Sequence, residues 1–203
     1  MDSNQPQPNF TPDYLNQIAV QPKKQLPNKK LLILGGLGLA VVIVVIISLI
    51  LSAFASHTTE YMQRLTARLT TTQTIASSAE TNIKSSELRS LNSNLQLYLT
   101  NTIRDIDTQL KNENIDSSNL DKKIVASEAA TDMINRLEDG RLNAVYDRTY
   151  AREMAYQLES IIALFDQVES STGKQSLKSF LDSARSNLQP TQAAFSDFNA
   201  ANG

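Results

Sequence analysis

Residues 31–56 read LLILGGLGLAVVIVVIISLILSAFAS, a run of 26 without one Asp, Glu, Lys or Arg. A helix rises about 1.5 Å per residue and a bilayer core is about 30 Å thick, so some 20 apolar residues cross it. A helix also pairs its backbone groups internally, as a segment in lipid must. The run therefore predicts a single transmembrane helix, with Leu31, Gly36, Ala40, Ile47 and Phe54 among its anchoring residues. It divides the chain into a tail (1–30), a span (31–56) and a polar domain (57–203). The competing reading is a cleaved signal peptide, since Ala53-Phe54-Ala55 has the small-x-small form of a cleavage site. Cleavable apolar cores usually run about 7–15 residues, which favours an uncleaved signal anchor.

Lys23, Lys24, Lys29 and Lys30 precede the run, whereas His57 to Gln63 offers one Glu and no Lys or Arg. Basic residues near a span stay cytoplasmic, so the tail is expected inside and the larger domain outside the cell membrane. Gly36 and Ala40 fit the small-xxx-small spacing of helix pairs in lipid, although glycine is common in such helices without pairing.

Five of the six prolines fall in residues 1–30 among many Gln and Asn. Such a stretch buries too little apolar surface to offset its ordering entropy, and is expected to be disordered. Its one island is FTPDYLNQIAV, where Thr11 is of the type that caps a helix and Pro12 of the type favoured at the first helical position. Phe10, Tyr14, Leu15 and Ile18 then share a face, a possible docking motif for a cytoplasmic partner; the plainer reading is a nascent turn. The tail is net +2 and the remainder, with 15 basic and 19 acidic residues, net −4. Charges of both signs are interspersed, which argues against nucleic acid as a partner. With no cysteine, no disulfide can hold the outer domain, and it depends on its apolar core.

Neither Gly nor Pro occurs between Leu39 and Glu138, which points to helix, and the apolar spacing of three and four agrees. One stripe runs from Tyr61 through Leu65 and Leu69 to Ile83, and a second from Leu88 to Leu110. A weaker third holds Leu120, Ile124, Met133, Ile134 and Leu137. The fourth begins at Leu142 and Val145 and ends at Val168; the fifth spans Leu177 to Phe198. Lys84-Ser85-Ser86-Glu87 reads as a break and cap, and 112–118 as a loop. Gly140 and Gly173 read as helix terminators, and Pro190 is expected to end or kink the last helix. The expectation is all-α: a transmembrane helix followed by an antiparallel four-helix-type bundle.

Chemistry is sparse. His57 is the only histidine and the chain lacks cysteine, phosphate loop and dinucleotide fingerprint. No Glu-x-x-His, the motif of di-iron bundles, is present. Glu80, Glu87, Asp105, Glu128, Glu153 and Glu159 read as solvated. Arg136, Arg141, Arg148 and Arg152 beside Glu138, Asp139, Asp147 and Glu153 read as surface pairs, with an anion site as the alternative. Tyr146, Tyr150 and Tyr156 read as core-edge residues whose hydroxyls reach polar partners. No catalytic, cofactor or metal residue is assigned.

Three motifs in residues 144–198 carry a resemblance: Tyr146-Asp147-Arg148-Thr149-Tyr150, Leu164-Phe165, and Leu177-Lys178-Ser179-Phe180. The stretch resembles the closing two helices of the bacterial ferritin-like family called domain of unknown function 4142, described as predicted outer-membrane proteins. Ser85-Ser86-Glu87-Leu88-Arg89 is more weakly similar to the turn opening that family's second helix. The resemblance implies an extracytoplasmic antiparallel four-helix bundle. Its members carry histidines where this chain has Ile103, Leu158 and Thr191; neither Ile nor Leu can bind metal or donate a hydrogen bond. The expectation is a bundle that kept the scaffold without a metal site: a non-enzymatic, single-pass protein of the lipid bilayer presenting helices for structural, adhesive or protein-interaction work, with a protein partner or further copies of itself as a homo-oligomer. The alternatives are a sensor-like ligand-binding ectodomain served by a separate cytoplasmic partner and, remotely, a ferritin-like metal protein.

Overall fold

The computed structural model describes residues 57–201, all within one compact unit, Ser48–Gly203. The expected span, with Leu31, Gly36, Ala40, Ile47 and Phe54, and the tail motif Phe10, Tyr14, Leu15 and Ile18 lie outside the described residues. Among the described residues no helix is long and apolar enough to cross a membrane, and there is no strand.

The helices are α1 (57–79), α2 (Ser86–Asn112), α3 (Lys122–Ser127), α4 (Thr131–Leu142), α5 (Tyr146–Ser171) and α6 (Gln175–Ala201). In α1 the spacing of Met62, Leu65, Leu69, Ala76 and Ala79 places all of them in the core. Its many threonines are no obstacle, because Thr66, Thr70, Thr72 and Thr74 donate to carbonyls four residues back. Ile83 to Ser85 break the helix as expected, and the Ser85 hydroxyl caps α2 by accepting from Leu88 N–H at 3.3 Å.

Hydrogen bonds between helices establish their directions. Thr58 Oγ1 donates to Ser171 O at 2.6 Å, and at the far end Asp147 accepts from Lys84 and Ser85 N–H at 3.0 and 2.7 Å. Hence α1 and α5 are antiparallel. Asn92 Nδ2 reaches Ala76 O across the α1–α2 hairpin. Lys174 Nζ at the start of α6 donates to Asn112 O at the end of α2. Arg185 of α6 bridges Asp166 and Glu169 of α5. The four long helices thus form a bundle with antiparallel neighbours and with α2 parallel to α5. The segment between those two must travel the bundle's length, and α3 and α4 are that crossover.

Several expectations are corrected here. The third stripe is two short helices separated by Ala130, which is left-handed at φ 51°; α3 buries no residue and Ile134 is exposed. Leu142 belongs to α4 and is also exposed. Gly140 does not terminate a helix. It lies inside α4 where that helix crosses α5, and a Cβ there would meet Thr149 Oγ1 at 2.7 Å. Gly173 does lie in a turn, but without positive φ; the described left-handed residues are Asn114, Ala130 and Ala144. Pro190 does not end α6, which continues to Ala201. Leu188, Thr191, Phe195 and Phe198 bury themselves on both sides of it, and that burial outweighs the one backbone bond proline forfeits.

Candidate functional site

The crossover is tied down by two carboxylates, Glu128 and Glu153, which are buried and not, as expected, solvated. Glu128, closing α3, accepts from Arg68 Nε of α1 at 2.6 Å, with Arg64 Nε 3.7 Å away. Glu153, on the α5 face toward α4, is 5% exposed. Its Oε2 accepts from Arg136 Nη2 at 2.7 Å, and its Oε1 from Arg152 Nη2 at 2.9 Å. Burial alone pushes the Glu153 carboxyl up, but the hydrogen bonds from the two guanidiniums outweigh it and hold the group below the usual carboxylate range. The same bond raises Arg136. Periodicity could not have revealed either carboxylate, since a Glu on a buried face looks like any other Glu until its partner arrives from elsewhere in the chain.

Around Glu153 the surface is hollow. A cavity of about 300 Å³ lies between the α3–α4 link and α5, lined by Thr131, Asp132, Arg136, Glu153, Tyr156 and Gln157 among others. It adjoins an open depression walled by Arg136, Arg152, Glu153 and Tyr156. Tyr156 is 65% exposed and no described aromatic ring packs on it. This corrects the core-edge reading for Tyr156 alone, since the Tyr146 and Tyr150 hydroxyls do reach polar partners, Asn82 and Asn92. Tyr146 and Tyr150 are buried and stack on each other, whereas Tyr156 stands in the cleft. Arg141 pairs with Glu138 on the surface as expected, and Asp147 serves the α1–α2 turn rather than an arginine.

Inside the bundle, polar groups are few and satisfied. Asn92 and Tyr150 are fully buried; the Tyr150 hydroxyl donates to Asn92 Oδ1, and burial pushes that phenol well above its ordinary range. Gln157 Nε2 donates to Thr72 Oγ1 at 3.3 Å. Among the described residues no buried side-chain polar atom lacks a partner. Leu158 is fully buried, the Thr191 hydroxyl is spent on Asn187 O, and Ile103 packs against the core. Among the described residues no group of three metal-ligating side chains lies together. His57 stacks on Tyr61 at the start of α1.

Compared with protein-family models, curated proteins and solved structures, the chain matches none.

Proposed function

We propose that the chain is a non-enzymatic, single-pass membrane protein that presents a ferritin-like helical bundle outside a bacterial cell membrane for structural, adhesive or protein-interaction work. The observation that carries this reading is the placement of exposed apolar side chains. Of six exposed large hydrophobic residues among the described ones, five (Val125, Ile134, Leu142, Val145 and Tyr156) belong to the crossover, its link to α5, or the α5 flank beside it. This concentration of exposed apolar side chains on one segment of the fold supports an interaction surface there. The uncharged run 31–56, with Lys23, Lys24, Lys29 and Lys30 just before it and no Lys or Arg in the seven residues after it, supports the anchor and its orientation. The single long crossover between parallel α2 and α5 supports the family resemblance, because ferritin-like bundles are connected in this way.

A sensor-like ectodomain is the second reading, favoured by the cleft of Arg136, Arg152 and Tyr156. The test is crosslinking in native membranes and pull-down of the full chain, against a version lacking residues 57–203. A partner lost with that domain supports the interaction reading, and its loss in an Ile134→Ser/Leu142→Ser double variant locates it on the crossover. Recovery of the full chain in the soluble fraction after gentle lysis refutes the anchor. Partners seen only through the tail, or none, refute the interaction reading.

A further inference from the structure

We propose that the cleft beside Tyr156 binds a neutral sugar ring of a glycan. This deepens the adhesive reading by naming what is adhered to, and it rests on the cleft rather than on the anchor.

A pyranose presents two chemistries at once: an apolar face of C–H groups, and a rim of hydroxyls that each donate and accept. A site for it needs an uncovered aromatic plane together with planar polar groups held in place. Tyr156 supplies the plane, since its ring is the most exposed aromatic surface described and carries no other ring. Arg136 supplies donors from the cavity wall, and Arg152 supplies them from the open depression that adjoins it. Glu153 uses one N–H of Arg136 and two of Arg152, which leaves most of both forks free while fixing their positions. Asp132, on the first turn of α4, and Thr131 beside it provide acceptors on the opposite wall. The cavity, about 300 Å³, lies at the small end of ligand sites and suits a single ring or chain terminus.

Charge decides against the competing ligands. The two arginines are balanced by Glu153 and Asp132, so the cleft is near neutral. An anion would reach the free N–H groups only beside the carboxylates of Glu153 and Asp132, which cancel the charge of the two arginines and leave it no net attraction. A cation would face both arginines. An apolar side chain would find a largely polar wall. A polyhydroxylated neutral ring is the chemistry that leaves every existing pair intact and engages the free donors and the bare ring together.

The test uses the full chain in a zwitterionic, sugar-free detergent, because alkyl-glycoside detergents would compete for the site. Chitotriose, cellotriose, maltotriose and mannotriose are titrated separately, with inorganic phosphate as a further arm. Binding is read by saturation-transfer NMR and by the tyrosine ring resonances. The expected result is that at least one trisaccharide binds, that Tyr156→Ala weakens it at least about tenfold, equivalent to about 1.4 kcal/mol, and that Leu97→Ala, on exposed α2 surface, leaves it unchanged. Melting curves check that Tyr156→Ala remains folded. The proposal is overturned if no trisaccharide binds, if Tyr156→Ala binds as well as the parent, or if phosphate alone shifts the cleft resonances, which would identify an anion site. None of these outcomes alters the membrane fractionation or the crosslinking result, so failure here is distinguishable from failure of the anchored-scaffold reading.

Discussion

Tyr150 and Asn92 come from helices that share no sequence neighbourhood, yet each satisfies the other in the middle of the core. Removing one partner strands the other away from water. Tyr150→Phe leaves Asn92 Oδ1 without its donor and is expected to cost about 1–3 kcal/mol, read from denaturant midpoints. Asn92→Leu is expected to cost more than Tyr150→Phe, because it also strips the buried Ala76 carbonyl of the Asn92 Nδ2 donor. Glu153 makes a different prediction. Its folded pKa is lowered, so its contribution to stability is present above the unfolded carboxylate value and is lost as pH falls through the folded one. Glu153→Gln is therefore expected to be less stable than the parent near neutral pH by about 1 kcal/mol, the scale of a half-exposed charge-assisted pair. The gap should close on acidification below the ordinary carboxylate range. A gap of constant size across that range would show that Glu153 acts through packing alone.

At the scale of elements, the crossover differs from the helices it spans. In α4 only Met133, Leu137 and Gly140 are buried, and in α3 nothing is, whereas α5 buries residues along its whole length. Few buried apolar groups mean a low local opening free energy. Amide hydrogen exchange is expected to release 122–142 well before the centres of α2 and α5; equal protection throughout would refute a separable crossover. Gly140 is what lets α4 lie close to α5. In an open helix Gly→Ala gains about 1 kcal/mol, but here the new Cβ meets Thr149 Oγ1 and Cβ at 2.7 and 2.9 Å. Gly140→Ala is expected to destabilise by about 1–3 kcal/mol. Because both clashing atoms belong to the Thr149 side chain, Thr149→Gly in the same chain should relieve the clash, and Thr149→Ser should not.

For the whole molecule, the four long helices and the absence of strand among the described residues were legible because helical periodicity is local. Each stripe states within three turns which face is apolar, and the Ser85 cap can be read from its own tetrapeptide. The same locality explains the failures. Pro190 and Gly140 carry strong local signals for ending a helix, and both are overruled by neighbours the local pattern does not contain: the core contacts of Leu188 and Phe195 in one case, the close approach of Thr149 in the other. Ala130 and Ala144 are left-handed without the glycine that would advertise it.

The amino-acid order by itself determined the helical class, the position of the main breaks, and an uncharged run long enough to cross a bilayer, because these depend on residues adjacent along one chain segment. Only the tertiary structure decided that α2 and α5 run parallel with a crossover between them. It alone showed Glu128 and Glu153 as buried and paired, and Tyr156, among three similar tyrosines, as the uncovered one. Burial of a charge depends on whether a partner reaches it, and Arg68 reaches Glu128 from 60 residues away. That distance in sequence is closed only by folding, so the cleft, unlike the helices that wall it, has no signature in any single stretch of the chain.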